Sequence, residues 1–244
     1  MDSPRSIITI TVALALATAG VARGDQSYDV SGNDTYQVGA GVAATSISYR
    51  GTQMLAVTGD GGARRFVAVA NYTRSDQASK TTLHARFVQA MERDGSFDDE
   101  NDQDPDFLTI LNQPFAIQLD ARTMRDLRAL RGEVPFEATS PLGGARLTGM
   151  LRPAPAGSIH GQSVIGVRFS ARGPMTGTLP LHADAQLAGT IRMNGTAYYA
   201  STRLLLLALD ATLTIEGQLK DKDSTVPVRI IYHRVIRADS VCAH

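Results

Sequence analysis

Three features of the sequence predict a mainly β chain: a long, strongly curved antiparallel sheet, in the form of a half-barrel or partial barrel, with one or two short helices. Apolar residues recur with period two from about residue 27 to the end, the spacing of a half-buried strand. The clearest run, Leu204–Leu219, is sixteen residues long, far beyond the usual strand of about 5–6 residues. Glycines recur inside these runs, where they let a sheet bend or bulge.

The chain of 244 residues, with 22 Gly, 10 Pro, one Cys and no Trp, has the length of one larger β domain. Its first segment has another purpose. Ile7 to Ala19 is a thirteen-residue apolar run preceded by Arg5 and followed by small residues up to Gly24, the layout of a secretory signal. The run is shorter than the ~20 residues a membrane helix needs, and no later stretch is long enough. We therefore expect a signal peptide over 1–24, one β-rich domain over 25–244, and a secreted or periplasmic location without a transmembrane span. Removing residues 1–24 takes away Arg5, Arg23 and Asp2 and leaves 22 basic against 23 acidic side chains. A balance so close to neutral lacks the basic excess that nucleic-acid binding uses. The single cysteine, Cys242, cannot form an internal disulfide, so the core alone must hold the fold.

Along the mature chain, Phe66–Thr73 and Thr82–Met91 alternate apolar and polar residues about a polar turn at Arg74–Lys80, which reads as an antiparallel pair. An acidic loop over 92–106 follows, with eight carboxylates against one arginine. Asp98, Glu100, Asp102, Asp104 and Asp106 fall at every second residue. Oxygen-rich alternation of this kind can wrap Ca²⁺. However, counted from Asp102, Phe107 stands where a Ca²⁺ loop needs Gly and Gln113 where it needs Glu. A solvated, self-repelling loop is the favoured reading. Ala121–Arg131 carries Met124, Leu127 and Leu130 at helical spacing, with Asp120 before it and Gly132 after it. That is a short helix, able to cover the open side of a curved sheet.

The remaining runs build the expected apolar face. Ile165, Val167 and Phe169 alternate with Gly166 and Arg168, while Ile191, Met193 and Tyr199 alternate with Arg192, Asn194 and Tyr198. In the longest run, Leu205, Leu207, Leu209, Leu213 and Ile215 share one parity, while Asp210, Thr212, Thr214 and Glu216 take the other. These eleven apolar residues are the candidate ligand-binding face. The last strand places Val226, Val228, Ile230, Tyr232 and Ile236 on one side. Residues 145–179 align with 185–219 at an offset of 40, matching Leu147 with Leu187, Gly149 with Gly189 and Gly177 with Gly217. A repeated hairpin would give this pattern.

Motifs for chemistry are missing. Gly161-Gln-Ser163-Val-Ile-Gly166 has one residue too many for a nucleophile elbow, and its serine falls in a strand. The histidines at 84, 160, 182, 233 and 244 lack the partner spacing of a metal pair, and no phosphate loop precedes a helix. Asp210 and Glu216 lie six residues apart on one face, ~20 Å along a strand, too far apart for a glycosidase pair. We expect no catalytic residue, no metal and no cofactor.

The hairpin from Gly195-Thr-Ala-Tyr-Tyr199 through Leu204–Gly217, with Leu147-Thr-Gly149 and Val226–Arg237, resembles the bacterial envelope half-barrels: the periplasmic lipoprotein carriers and lipid-binding lipoproteins. The resemblance is architectural, covers roughly residues 110–238 and matches no family motif, so it carries no functional residue across. The chain also departs from the lipoprotein members in lacking a lipid-attachment cysteine. The resemblance implies an apolar pocket for acyl chains on the concave face. Our expectation is thus a non-enzymatic protein binding a lipid, another hydrophobic ligand or a lipidated envelope protein. The alternatives are a structural or interaction module with a self-filled core and, last, a hydrolase.

Overall fold

The computed structural model describes residues 26–59, 64–91, 97–101, 132–138, 146–179, 182–202, 205–222 and 224–239. Among them are eleven strands: β1 (Gln26–Val38), β2 (Thr45–Thr58), β3 (Arg64–Ser75), β4 (Lys80–Met91), β5 (Phe97–Asn101), β6 (Val134–Ala138), β7 (Leu147–Ile159), β8 (Gln162–Leu179), β9 (His182–Ala200), β10 (Leu206–Lys220) and β11 (Thr225–Ala238). The expected signal peptide, the expected helix at 121–131, Asp102, Asp104, Asp106 and Cys242 lie outside the described residues.

All eleven strands join one open antiparallel sheet in the order β5-β4-β3-β2-β1-β11-β10-β9-β8-β7-β6. Two meanders build it. The first runs outward from β1 to the β5 edge, and the second runs inward from the β6 edge to β11. They meet at a central seam where β1 pairs with β11 from Tyr28↔Ala238 to Val38↔Val228. The acidic segment expected as a loop is in part a strand: Asp98 and Glu100 fall in β5, at the sheet's edge. Acidic residues suit that place, because an uncharged edge invites pairing with other chains.

Strict alternation puts one set of side chains on the core face. Tyr28, Val30, Tyr49, Leu55, Phe66, Val167, Phe169, Ile191, Met193, Ile215, Ile230 and Ile236 belong to one buried cluster. The opposite face is polar along the central strands, as expected of an antiparallel sheet with one wet side. Chords across the core face record how far the sheet rolls. His160, in the turn between β7 and β8, donates a hydrogen bond from Nε2 to the Ala238 carbonyl oxygen on β11 at 3.0 Å. A flat sheet would hold β8 and β11 ~14 Å apart, at three strand spacings. His160 adopts φ 49°, beside Gly161 at φ 77°, a reversal that suits a two-residue hairpin.

The offset-40 repeat maps strands but not pairing. Gly149 pairs with Ala171, whereas Gly189 pairs with Gly217, six positions beyond its counterpart of Ala171. Gly189 and Gly217 bring β9 and β10 together so closely that neither tolerates a side chain. A Cβ on Gly189 falls against the Glu216 carbonyl oxygen and 2.7 Å from Gly217 Cα; one on Gly217 lies 2.8 Å from Gly189 Cα. Gly217→Val should therefore cost ~1–3 kcal/mol through overpacking of the sheet. Urea unfolding followed by circular dichroism checks this, with Gln218→Val on the exposed face as the near-neutral control.

Candidate ligand site

The β9–β10 connection closes the end of the sheet near the first residue of β1. Ala200 N–H donates to the Leu205 carbonyl at 2.9 Å and Ser201 N–H donates to the Ser163 carbonyl at 3.0 Å, so the connection is tied to itself and to β8. A register shift between Leu206 and Ala208 breaks the β9–β10 ladder at this point. The alternation holds from Leu209 onward, but the shift places Leu206, rather than Leu205 or Leu207, opposite Tyr199. A bulge leaves one residue unpaired and reverses which parity faces the core. Leu205, Leu206, Leu207 and Ala208 are consequently all buried.

A cavity of about 280 Å³ opens here, lined by Gln26, Gln162, Ser163, Ala200, Ser201, Thr202, Leu205 and Leu207. Its rim is amide and hydroxyl and its inner wall is leucine. Gln26 is fixed across the strand ends, its amide donating to the Ser27 carbonyl at 3.1 Å and the Asp239 carbonyl at 3.4 Å. Deeper still, Tyr28 donates its hydroxyl hydrogen to the Leu206 carbonyl at 2.8 Å, and burial pushes its phenol well above the ordinary tyrosine range. No acid, histidine or cysteine lies among the described residues lining the cavity.

Of the eleven residues expected to line a ligand site, Leu205 and Leu207 line this cavity. Leu209, Leu213, Ile215, Val167, Phe169, Ile191, Met193 and Tyr199 sit in the buried cluster, and Ile165 packs against it half-buried. One surface thus unites all eleven, largely filled by its own neighbours.

Sequence reasoning missed the main polar feature of that surface. Asp34 on β1 and Arg234 on β11 face the core with 0% and 4% of their side chains exposed. Arg234 donates through both terminal nitrogens to the two Asp34 oxygens, its Nη2 bond being 3.2 Å. Tyr36 donates to the same carboxylate at 3.3 Å. The guanidinium carbon lies 5.0 Å from the Tyr49 ring centroid and 5.7 Å from that of Tyr232, within cation–π range. Gly32 pairs directly with Arg234, and a Cβ there would stand 2.9 Å from Nη1; the missing side chain is the space the arginine occupies. Burial raises the Asp34 carboxyl above its ordinary range, and the hydrogen bond and charge of Arg234 offset this only in part. For Arg234, burial opposes the charged form, yet the Asp34 hydrogen bond and charge prevail and its proton is held more tightly. The signal was a gap in the alternation: a core-parity series through Tyr232 and Ile236 must put residue 234 inside.

On the other face, the two carboxylates weighed for catalysis have separate partners. Asp210 meets His233 Nε2 at 2.9 Å, while Glu216 bridges Arg192 at 3.2 Å and Arg229 at 3.5 Å. His84 contacts Asn71, and His160 reaches Ala238. Among the described residues no group of three His, Cys, Asp or Glu is placed to hold a metal ion. No described helix is long and apolar enough to cross a membrane.

No protein-family model matches the chain, and no curated protein matches it. Among solved structures, a DUF1329 family protein from Desulfovibrio piger matches with 8% identity over 89% of this chain and 88% of that one, at a TM-score of 0.18.

Breaking the buried pair from one side should be costly. Arg234→Met leaves the Asp34 carboxyl buried without its cation, and we expect a loss of ~3–5 kcal/mol, whereas Asp34→Leu combined with Arg234→Met recovers most of it. Denaturant midpoints of the two single variants and the double measure the difference directly.

Proposed function

We propose that this is a non-enzymatic protein of the bacterial envelope that binds a hydrophobic ligand, with an acyl-type chain entering at the cavity between β8 and the β9–β10 connection. One observation carries the reading: the amide and hydroxyl residues Gln26, Gln162, Ser163, Ser201 and Thr202 line one cavity together with Leu205 and Leu207, which belong to the apolar core cluster. Such a site suits a molecule with a polar end and an apolar body, because the rim can hydrogen-bond the first while the wall takes up the second. At about 280 Å³ the space admits a short chain or the end of a longer one, and a longer ligand must part the core side chains beneath Leu205 and Leu207. The export signal expected over 1–24 supports an envelope location.

Decanoate or a fluorescent fatty-acid probe tests this. At a ligand concentration of ~100 Kd the stabilisation is ~2.7 kcal/mol, which for a chain of this size raises the melting temperature by ~5–10 °C. Ser163→Trp, placed at the rim, should abolish both the shift and probe uptake while leaving the unliganded melting temperature within ~2 °C of wild type. Absence of any shift or uptake in the wild-type protein sinks the reading.

The burial of the same face by its own neighbours, with Ile191, Ile215 and Tyr199 at 0% exposure, favours a second reading. There the core is self-filled and the sheet is a structural or interaction module. It requires that native mass spectrometry of the gently purified protein find no bound lipid, and that envelope pull-downs find a saturable partner.

A further inference from the structure

We propose that the exposed face of β7, β8 and β9 docks on the phosphate surface of an anionic lipid bilayer. Arg152, Arg168, Arg172 and Arg192 are all exposed there. They are not scattered: Arg152 pairs directly with Arg168 across β7 and β8, and Arg172 pairs directly with Arg192 across β8 and β9. Like charges placed directly opposite each other weaken a sheet, so nothing in the folding of this face calls for two such pairs. An external anion between the paired guanidinium groups removes the repulsion, and the planar, multiply donating arginine suits phosphate oxygens.

The acidic side chains of the neighbourhood neutralise only two of the four arginines. Glu133 meets Arg152 and Glu216 meets Arg192, while Arg168 and Arg172 have no ion-pair partner among the described residues. Ser170 lies between these two on β8 and faces Asn194 on β9, adding neutral donors at the centre of the patch. The chain's balance of 24 basic and 24 acidic residues conceals this segregation, since eight carboxylates are concentrated in 92–106.

Two features favour a bilayer over a nucleic acid. Single-stranded nucleic acids are held by several stacking aromatics, whereas the exposed parity of β7–β9 offers one aromatic, Tyr198, half-buried across Gly166. A tyrosine at the border of a basic patch is instead the side chain that settles at a lipid headgroup layer. The patch runs toward the end of β8 and β9 at which the cavity lies: Tyr198 is two residues from Ala200, and Arg168 is five residues, ~17 Å of strand, from Ser163, whose side chain has the opposite parity. In this respect the inference rests on the ligand reading above, for it places the mouth beside the surface from which a lipid would come.

Flotation of the full mature chain with vesicles tests the docking, in 0.1 M NaCl, on phosphatidylcholine alone and on phosphatidylcholine with 30% phosphatidylglycerol. We expect binding to the anionic vesicles only, reversed by 0.5 M NaCl, and unchanged in Arg168→Lys/Arg172→Lys. Arg168→Gln/Arg172→Gln should bind about 30-fold more weakly, about fivefold for each charge, with a melting temperature equal to or above that of wild type and unchanged fatty-acid probe uptake. Should the glutamine variant not fold, the salt reversal and the lysine variant carry the test. Equal binding to neutral vesicles, binding indifferent to salt or to the glutamine pair, or capture of a duplex oligonucleotide without capture of vesicles overturns the proposal. Probe uptake without vesicle binding overturns docking and leaves the ligand reading intact; vesicle binding without uptake does the reverse.

Discussion

The sheet depends on a joint between the first and last strands of the chain. β1 and β11 are paired at the centre of an eleven-strand sheet, so each meander reaches its partner only when the whole chain has been laid down. The Asp34–Arg234 contact that marks the joint spans 200 positions in sequence. Bringing such distant segments together carries a loop-closure cost and slows folding. It also needs a register, because a slip by one residue would turn every core side chain outward. Apolar neighbours alone discriminate poorly between neighbouring registers on a face this uniform. A buried bidentate pair discriminates well: in any other alignment Arg234 loses the gap at Gly32, and a charge stays buried without its partner. The tyrosines at 36, 49 and 232 reinforce the same register from three strands, since their hydroxyls and rings have work to do only when aspartate and arginine stand opposite each other.

That arrangement explains which parts of the molecule were legible in the sequence. Period-two alternation located β8, β9, β10 and β11 of the second meander, since β10 and β11 each bury one parity against solvent on the other, whereas β6 was not read at all. The pair β3–β4 was visible for the same reason, with its polar turn at 76–79. The joint itself was not. Pairing between first and last strands leaves no local trace, and Asp34 and Arg234 each look like ordinary polar residues until their parity is compared with that of Val30 and Ile236. Local readings also failed at β5, where acidic composition argued for a loop although an edge strand accommodates charge. At Leu205–Ala208 four apolar residues in a row offered no alternation to read, and the bulge between Leu206 and Ala208 became apparent only through its partners on β9. The eleven apolar residues of the expected ligand face lie in or against one buried cluster, and the sequence could not separate a surface that lines a hollow from one that fills it.

The distinction between lining and filling has a physical origin in where the strands approach one another. Toward the far end of β9 and β10 the Gly189–Gly217 pair lets the backbones close together, and Leu187, Ile191 and Ile215 occupy the space around the constriction. Toward the near end the ladder is interrupted by the bulge, the connection at 201–205 is longer than the two-residue turn at 160–161, and the strand ends of β1 and β8 carry amide and hydroxyl groups. One strand pair therefore has a constricted, packed half and a looser, wetter half. A rolled sheet needs the first for stability, because an empty apolar channel along its length would forfeit contacts that hold the core together. A cavity confined to the second sacrifices little. Its rim groups satisfy one another or solvent, and its leucines are the last of a row already buried below. On the ligand reading proposed above, binding that starts at the loose end would proceed inward only as far as displaced side chains find new neighbours, which would make chain length the property by which such a ligand is selected.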